Sequence, residues 1–211
     1  MKIDIKLKEL SKQVGPKETL FTNLNFEAKN SDIVSIVGPN GSGKSTFLKV
    51  ISGVMKPSKG SIELSIGGEE IKLSEFHKYF GYVAPYLNLY EEFHPLEHIK
   101  VISKIRNLKY DEKKALELLE QFNLSRHRFK PIKVFSSGMK QRMRIILSIL
   151  NHPSILLLDE PFSNLDDKGI EQYKQVIDEI HKQEGLIFIA SNDAREISLS
   201  NIQINLRDYK K

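Results

Sequence analysis

Nine consecutive residues, Gly38-Pro-Asn-Gly-Ser-Gly-Lys-Ser-Thr46, set three glycines, a lysine and hydroxyls in the spacing G-x-x-x-x-G-K-[ST]. Glycine at 38, 41 and 43 lets the backbone curl until successive amide N–H groups point inward, forming a concave nest for an anion. Lys44 adds a fixed positive charge, Ser45 a hydroxyl that can hold Mg2+, and Asn40, Ser42 and Thr46 complete the polar set. A helix beginning near Lys44 would aim the positive end of its dipole at the same anion. These residue types at this spacing suit the β- and γ-phosphates of a nucleoside triphosphate.

The flanking elements agree with that chemistry. Ile33-Val-Ser-Ile-Val37 is apolar enough for a buried strand that delivers the loop, and residues 45–52 read as the helix that follows, stopped by Gly53. The runs 155–158 and 186–190 are apolar throughout, as strands covered on both faces are, and would form a parallel centre with 33–37. Residues 3–7 alternate apolar and charged, and with the strand-like 20–28 they predict an antiparallel β edge. Residues 61–66 and 202–206 are also strand-like. Helical spacing appears at 95–106, 111–122 and 138–151, with Ala115, Leu118, Leu119 and Phe122 on one stripe. The expected fold class is α/β, a parallel core with an antiparallel β edge and an inserted α-helical subdomain.

Composition sets the bounds. The 211 residues suffice for a single domain, expected as a core of about 1–84 and 152–211 around a helical subdomain of about 85–151. With no cysteine, disulfides, thiol catalysis and cysteine zinc sites are excluded. No stretch reaches the roughly 18 to 20 apolar residues of a spanning helix, and residues 1–8 lack the apolar core of a signal peptide. The formal net charge is +5, but the lysines are scattered without aromatic interleaving, so a nucleic-acid partner is not expected. His94 and His98 lie four apart without a zincin glutamate and read as surface histidines rather than metal ligands.

Further along, Phe135-Ser-Ser-Gly-Met-Lys-Gln-Arg142 resembles the signature of ABC ATPases in its exporter-type form, Y/F-S-T/S-G-M-x-Q-R. Ile155-Leu-Leu-Leu-Asp-Glu160 looks like the Walker B motif of that family and Ser163-Asn-Leu-Asp166 like its D-loop, in the family's order after the Walker A loop. The resemblance covers the whole chain. It implies a P-loop NTPase with a RecA-like core, acting as the ATP-binding and ATP-hydrolysing subunit of an ABC transporter of the ABC-2 or haem-export type. Partners would be a second copy or a related ATPase subunit and integral membrane permease subunits, with the chain peripheral on the cytoplasmic face of the membrane. A soluble ABC ATPase acting on DNA or ribosomes, and an ATP-sensing module with little hydrolysis, are the alternatives.

The resemblance also assigns roles. Asp159 and Ser45 would serve Mg2+, and Glu160 would be general base toward the attacking water, with Lys44 on the phosphates. Ser136 and Gly138 would cap the γ-phosphate of a facing subunit. Asp159 and Glu160 could instead solvate a strand end, and Asp166 could be a helix N-cap.

Three departures from the family pattern stand out. After Gly81-Tyr-Val83, Ala84-Pro85-Tyr86 stands where a glutamine is usual, Asn88 being the candidate substitute. Asn192 takes the place of the switch histidine; its amide can hydrogen-bond a γ-phosphate but cannot exchange a proton near neutral pH. Gln13 or Val14 takes the place of the aromatic that stacks on adenine. Stacking on an aromatic is worth about 1 to 3 kcal/mol per base, so purine discrimination should be weak. GTP is therefore expected to compete with ATP to within about tenfold in affinity, about 1.4 kcal/mol; competition titrations showing a far stronger ATP preference would refute it.

Overall fold

The computed structural model describes residues 2–15 and 18–210. Its elements in chain order are β1 (Ile3–Val14), β2 (Glu18–Lys29), β3 (Ile33–Val37), α1 (Lys44–Ile51), β4 (Lys59–Ile66), β5 (Glu69–Ile71) and β6 (Phe80–Val83). There follow α2 (Pro95–Ile105), α3 (Glu112–Gln121), α4 (Ser137–Ile149), β7 (Ile155–Asp159), α5 (Asp167–Lys182), β8 (Leu186–Ala190), α6 (Ala194–Ile197) and β9 (Ile202–Asn205). Single 3-10 turns occupy Leu73–Lys78, Ser125–His127, Ile132–Val134 and Leu206–Tyr209.

The strands form two sheets. The parallel one has the order β6-β7-β8-β3-β9, and the antiparallel one, β2-β1-β4-β5, is a separate sheet beside it. β1 is longer than its alternation suggests. The pairing with β2 steps from Leu7↔Phe26 to Leu10↔Leu24, and Glu9 at φ 49° takes up the extra residue. The bulge shifts the inward face from Leu7 to Leu10, so the period breaks while the strand continues.

The central strands β7 and β8 are buried on both faces, and their period of two divides them between two cores. Ile155 and Leu157 of β7 and Leu186, Phe188 and Ala190 of β8 pack on the side of α1 and the antiparallel sheet. Leu156 and Leu158, with Ile187 and Ile189, face the other core, which includes Leu119, Phe122, Met143, Ile146 and Tyr173 from the helices. By the same alternation Asp159, the last residue of β7, falls on the α1 side. The carboxyl ends of β3, β7 and β8 lie together, the position where open α/β sheets bind ligands.

The helices between β6 and β7 have legible ends. Asp111 accepts from the Lys114 N–H at 3.2 Å to cap α3, and Ser136 accepts from Met139 N–H at 3.2 Å to cap α4. His98 differs from its sequence reading. It is buried, not on the surface, set against the rings of Tyr90 and Phe93, and burial pushes its imidazole down to about 4. It lies beside Ile99 on the apolar stripe of α2, so it packs as a neutral ring.

Phe47 of α1 meets Phe21 of β2 edge to face, ring centroids 5.6 Å apart, and both are fully buried. This contact fastens the phosphate-loop helix to the antiparallel sheet. Phe47→Ala is expected to cost about 3 to 5 kcal/mol, read as a lower urea midpoint; a loss below about 1 kcal/mol, typical of surface changes, would contradict that role.

Candidate functional site

The loop between β3 and α1 is held open by its glycines. Gly38, Gly41 and Gly43 have φ of 152°, 79° and 99°. A Cβ on Gly38 would meet Ser42 Oγ at 2.6 Å, and one on Gly43 would meet Leu20 Cβ at 3.0 Å, so side chains are excluded by space as well as by conformation. Gly43 is the N-cap of α1, whose first turn presents backbone N–H groups to the loop interior. Lys44 is buried and turns its ammonium onto the carbonyls of Gly38 and Pro39, at 2.8 and 3.4 Å. Burial pushes its pKa down, while Glu160 and Asp159 pull it back up.

Leu20, Asn40, Gly41, Gly43, Lys44, Ser45, Thr46 and Glu160 line an open cleft of about 330 Å³ over the loop. Asn192 reaches it from the end of β8, its side-chain N–H donating to Asn40 Oδ1 at 3.1 Å. Glu160 follows β7 in the left-handed region, φ 46°, a conformation uncommon for a residue with a side chain and found at functional sites. Its N–H donates to Ala190 O at 2.9 Å, fixing the β7 terminus against β8.

Asp159 is buried, and burial pushes its carboxyl above the usual range, opposed by the neighbouring Ser45 and Tyr86 hydroxyls and by Lys49 and reinforced by Glu160. Its Oδ2 has no hydrogen-bond partner among the described residues, nor has Ser42 Oγ. An orphaned buried carboxylate oxygen beside a hydroxyl fits the hard oxygen donors that Mg2+ takes, which phosphate oxygens and water complete. Among the described residues no cluster of three or more His, Cys, Asp or Glu is placed to hold a metal.

The structure thus brings together residues 38–46, Asp159, Glu160 and Asn192. Ser136 and Gly138 do not line this cleft. They stand at the exposed start of α4, where a Cβ on Gly138 would meet the Asn164 carbonyl at 2.8 Å. Asp166 caps α5 through Gly169 N–H at 2.8 Å and is ion-paired to Arg142 of α4, so its N-cap reading holds. The signature start and the segment 163–166 are therefore packed on one another.

Sequence reasoning missed two participants. Asn88 is exposed, and it is Tyr86 that stands beside Asp159; only tertiary structure brings these two together. Glu196 of α6 was also unseen. It is buried and accepts from Phe162 N–H at 2.6 Å, just past Glu160.

The family model described as ABC transporter matches residues 21–163. The lantibiotic transport ATP-binding protein SrtF of Streptococcus pyogenes is 34% identical over 194 residues, 92% of this chain and 82% of that protein. The bacitracin transport ATP-binding protein BcrA of Bacillus licheniformis is 33% identical over 197 residues, 92% of this chain and 63% of that one. Among solved structures, the dimeric post-hydrolysis state of the ATP-binding cassette MJ0796 bound to ADP and Pi superposes with a TM-score of 0.81 at 29% identity, covering 95% of this chain and 93% of that one.

Burial pushes the Glu196 carboxyl up to about 7, with Ser191 and the Phe162 N–H opposing. A carboxyl raised by folding stabilises below its unfolded pKa of 4.5, and that contribution is lost as pH rises from there through about 7. Glu196→Gln keeps the acceptor without the charge. Urea unfolding from pH 5 to 8 is expected to show the variant's advantage growing by an order of 2 kcal/mol; parallel curves would remove the buried-acid reading.

Proposed function

Because the chain belongs to the ABC transporter family, we propose that it binds and hydrolyses ATP for separate membrane-spanning subunits, driving movement of a substrate, in the direction of export. The observation that carries this is the incompleteness of the cleft. Residues 38–46, Asp159, Glu160 and Asn192 converge, while Ser136 and Gly138 lie outside that cleft at the start of α4. Two copies, or this chain and a related one, would complete each other's sites by closing on ATP. That MJ0796 is a dimer with ADP and Pi supports this reading.

In it, the amides of residues 38–43 and the N-terminus of α1 receive the phosphates, and Lys44 leaves its loop carbonyls for them. Ser45 and Asp159 would hold Mg2+, which when bound would neutralise charge that develops in phosphoryl transfer. Glu160 takes a proton from the attacking water, and Asn192 donates a hydrogen bond to the γ-phosphate. Ser136 and Gly138 of the facing copy cap that phosphate. Leu20 on the cleft wall and Val14, half exposed on β1, offer the base apolar contact without a stacking ring. The helical segment 85–151 acts as a subdomain that carries the signature.

No described helix is long and apolar enough to cross a membrane. Attachment to the cytoplasmic face therefore runs through the permease partner. The names of the lantibiotic and bacitracin relatives support peptide-like cargo for a partner of this type.

Hydrolysis by the isolated chain is slow, since Asn192 cannot exchange a proton and Pro85 offers no polar side chain. Phosphate release from Mg·ATP should fall by about 100-fold or more in Glu160→Gln, with ATP binding kept, and should rise in Asn192→His. An Asn192→His rate equal to the parent would show the asparagine to be adequate. Hydrolysis untouched by Glu160→Gln would end the general-base assignment.

A further inference from the structure

The loop that leaves β6 is built to present one side chain. Leu87 N–H donates to Ala84 O at 3.1 Å, closing a β-turn with Pro85 in its second position and Tyr86 in its third. Proline presets the backbone angle that this second position needs. The turn is tied on both sides. Arg144 Nε of α4 donates to Leu87 O at 2.8 Å, and the Tyr86 hydroxyl is hydrogen-bonded to that of Tyr82. Tyr82 lies in β6 opposite Leu157 of β7, two residues before Asp159. The Lys49 ammonium sits 4.2 Å from the centre of the Tyr86 ring, which fixes the ring plane from the α1 side.

Strand, helix and turn thus converge on a half-exposed tyrosine whose hydroxyl stands beside the Asp159 carboxylate. With Tyr82 donating, the Tyr86 proton is left free toward the neighbouring Asp159 carboxylate. The buried Oδ2 of that carboxylate has no hydrogen-bond partner among the described residues. We infer that Tyr86 is a positioning residue for the divalent-cation site, orienting the Asp159 carboxylate so that its unpartnered oxygen faces the cation. This rests on the ATP reading above. Pro85, which looks in the sequence like a lost polar group, acts as the scaffold for the residue that replaces it.

The test is a Mg2+ titration of the full chain with a non-hydrolysable ATP analogue, alongside analogue binding in EDTA. Tyr86→Phe keeps the ring on Lys49 and removes only the hydroxyl. It is expected to raise the half-saturating Mg2+ concentration by about tenfold, as loss of an outer partner of a metal ligand does, while EDTA binding and melting temperature stay at parental values. Tyr86→Leu, which also gives up the Lys49 contact, is expected to shift the titration at least as far. A Tyr86→Phe titration that overlays the parent overturns the inference. So does an equal loss of analogue affinity with and without Mg2+, which would mark a packing role. If the parent binds no analogue under either condition, the ATP reading fails and this inference with it.

Discussion

A buried ammonium set against two carboxylates at the mouth of a parallel sheet is the interaction on which the rest of this structure depends. Lys44 is desolvated, which disfavours its charge, and Glu160 and Asp159 restore it. Asp159 is desolvated in turn, and Glu160 beside it adds repulsion. An unpaired buried ion costs several kcal/mol, and the nearby carboxylates offset part of what burial costs the Lys44 ammonium. The loop carbonyls of Gly38 and Pro39 occupy the ammonium meanwhile, and they are weaker partners than phosphate oxygens. The loop around it stays free of side chains at Gly38 and Gly43, where a Cβ would crowd Ser42 or Leu20.

The sequence made the central strands and the phosphate loop legible because their signals are local. A run covered on both faces is apolar throughout, and β3 and β8 lie where those runs fall. The path of β1 was harder to read, since the bulge at Glu9 changes which residues face inward without ending the pairing. Tyr86 left no pattern at all. Its partners are Tyr82, Lys49 and Asp159, three residues on three elements, and nothing in a linear spacing joins them. His98 had a usable signal in the neighbouring Ile99, outweighed by the usual exposure of histidine in a charged helix.

The contacts also sort the motifs into two groups. Gly138 approaches the Asn164 carbonyl and Arg142 pairs with Asp166, so the start of α4 and the segment 163–166 share one surface. The phosphate loop, Glu160 and Asn192 share another, with Asp159 buried beside Ser45. Arg144 bridges the two through Leu87 O, because the same turn carries Tyr86 to Asp159. The turn that brings Tyr86 beside Asp159 thus has its next carbonyl held by α4.

The turns after β7 and β8 are coupled by a different device. Glu160 and Asn192 are both exposed. Glu196 lies beneath them, accepting the Phe162 N–H from one turn and facing Ser191 of the other. Burial favours its neutral form, which adds no further negative charge beside Asp193 and Glu160, while the hydrogen bonds from Ser191 and the Phe162 N–H oppose that shift. The turns that carry Glu160 and Asn192 are thus tied to each other by one buried acid.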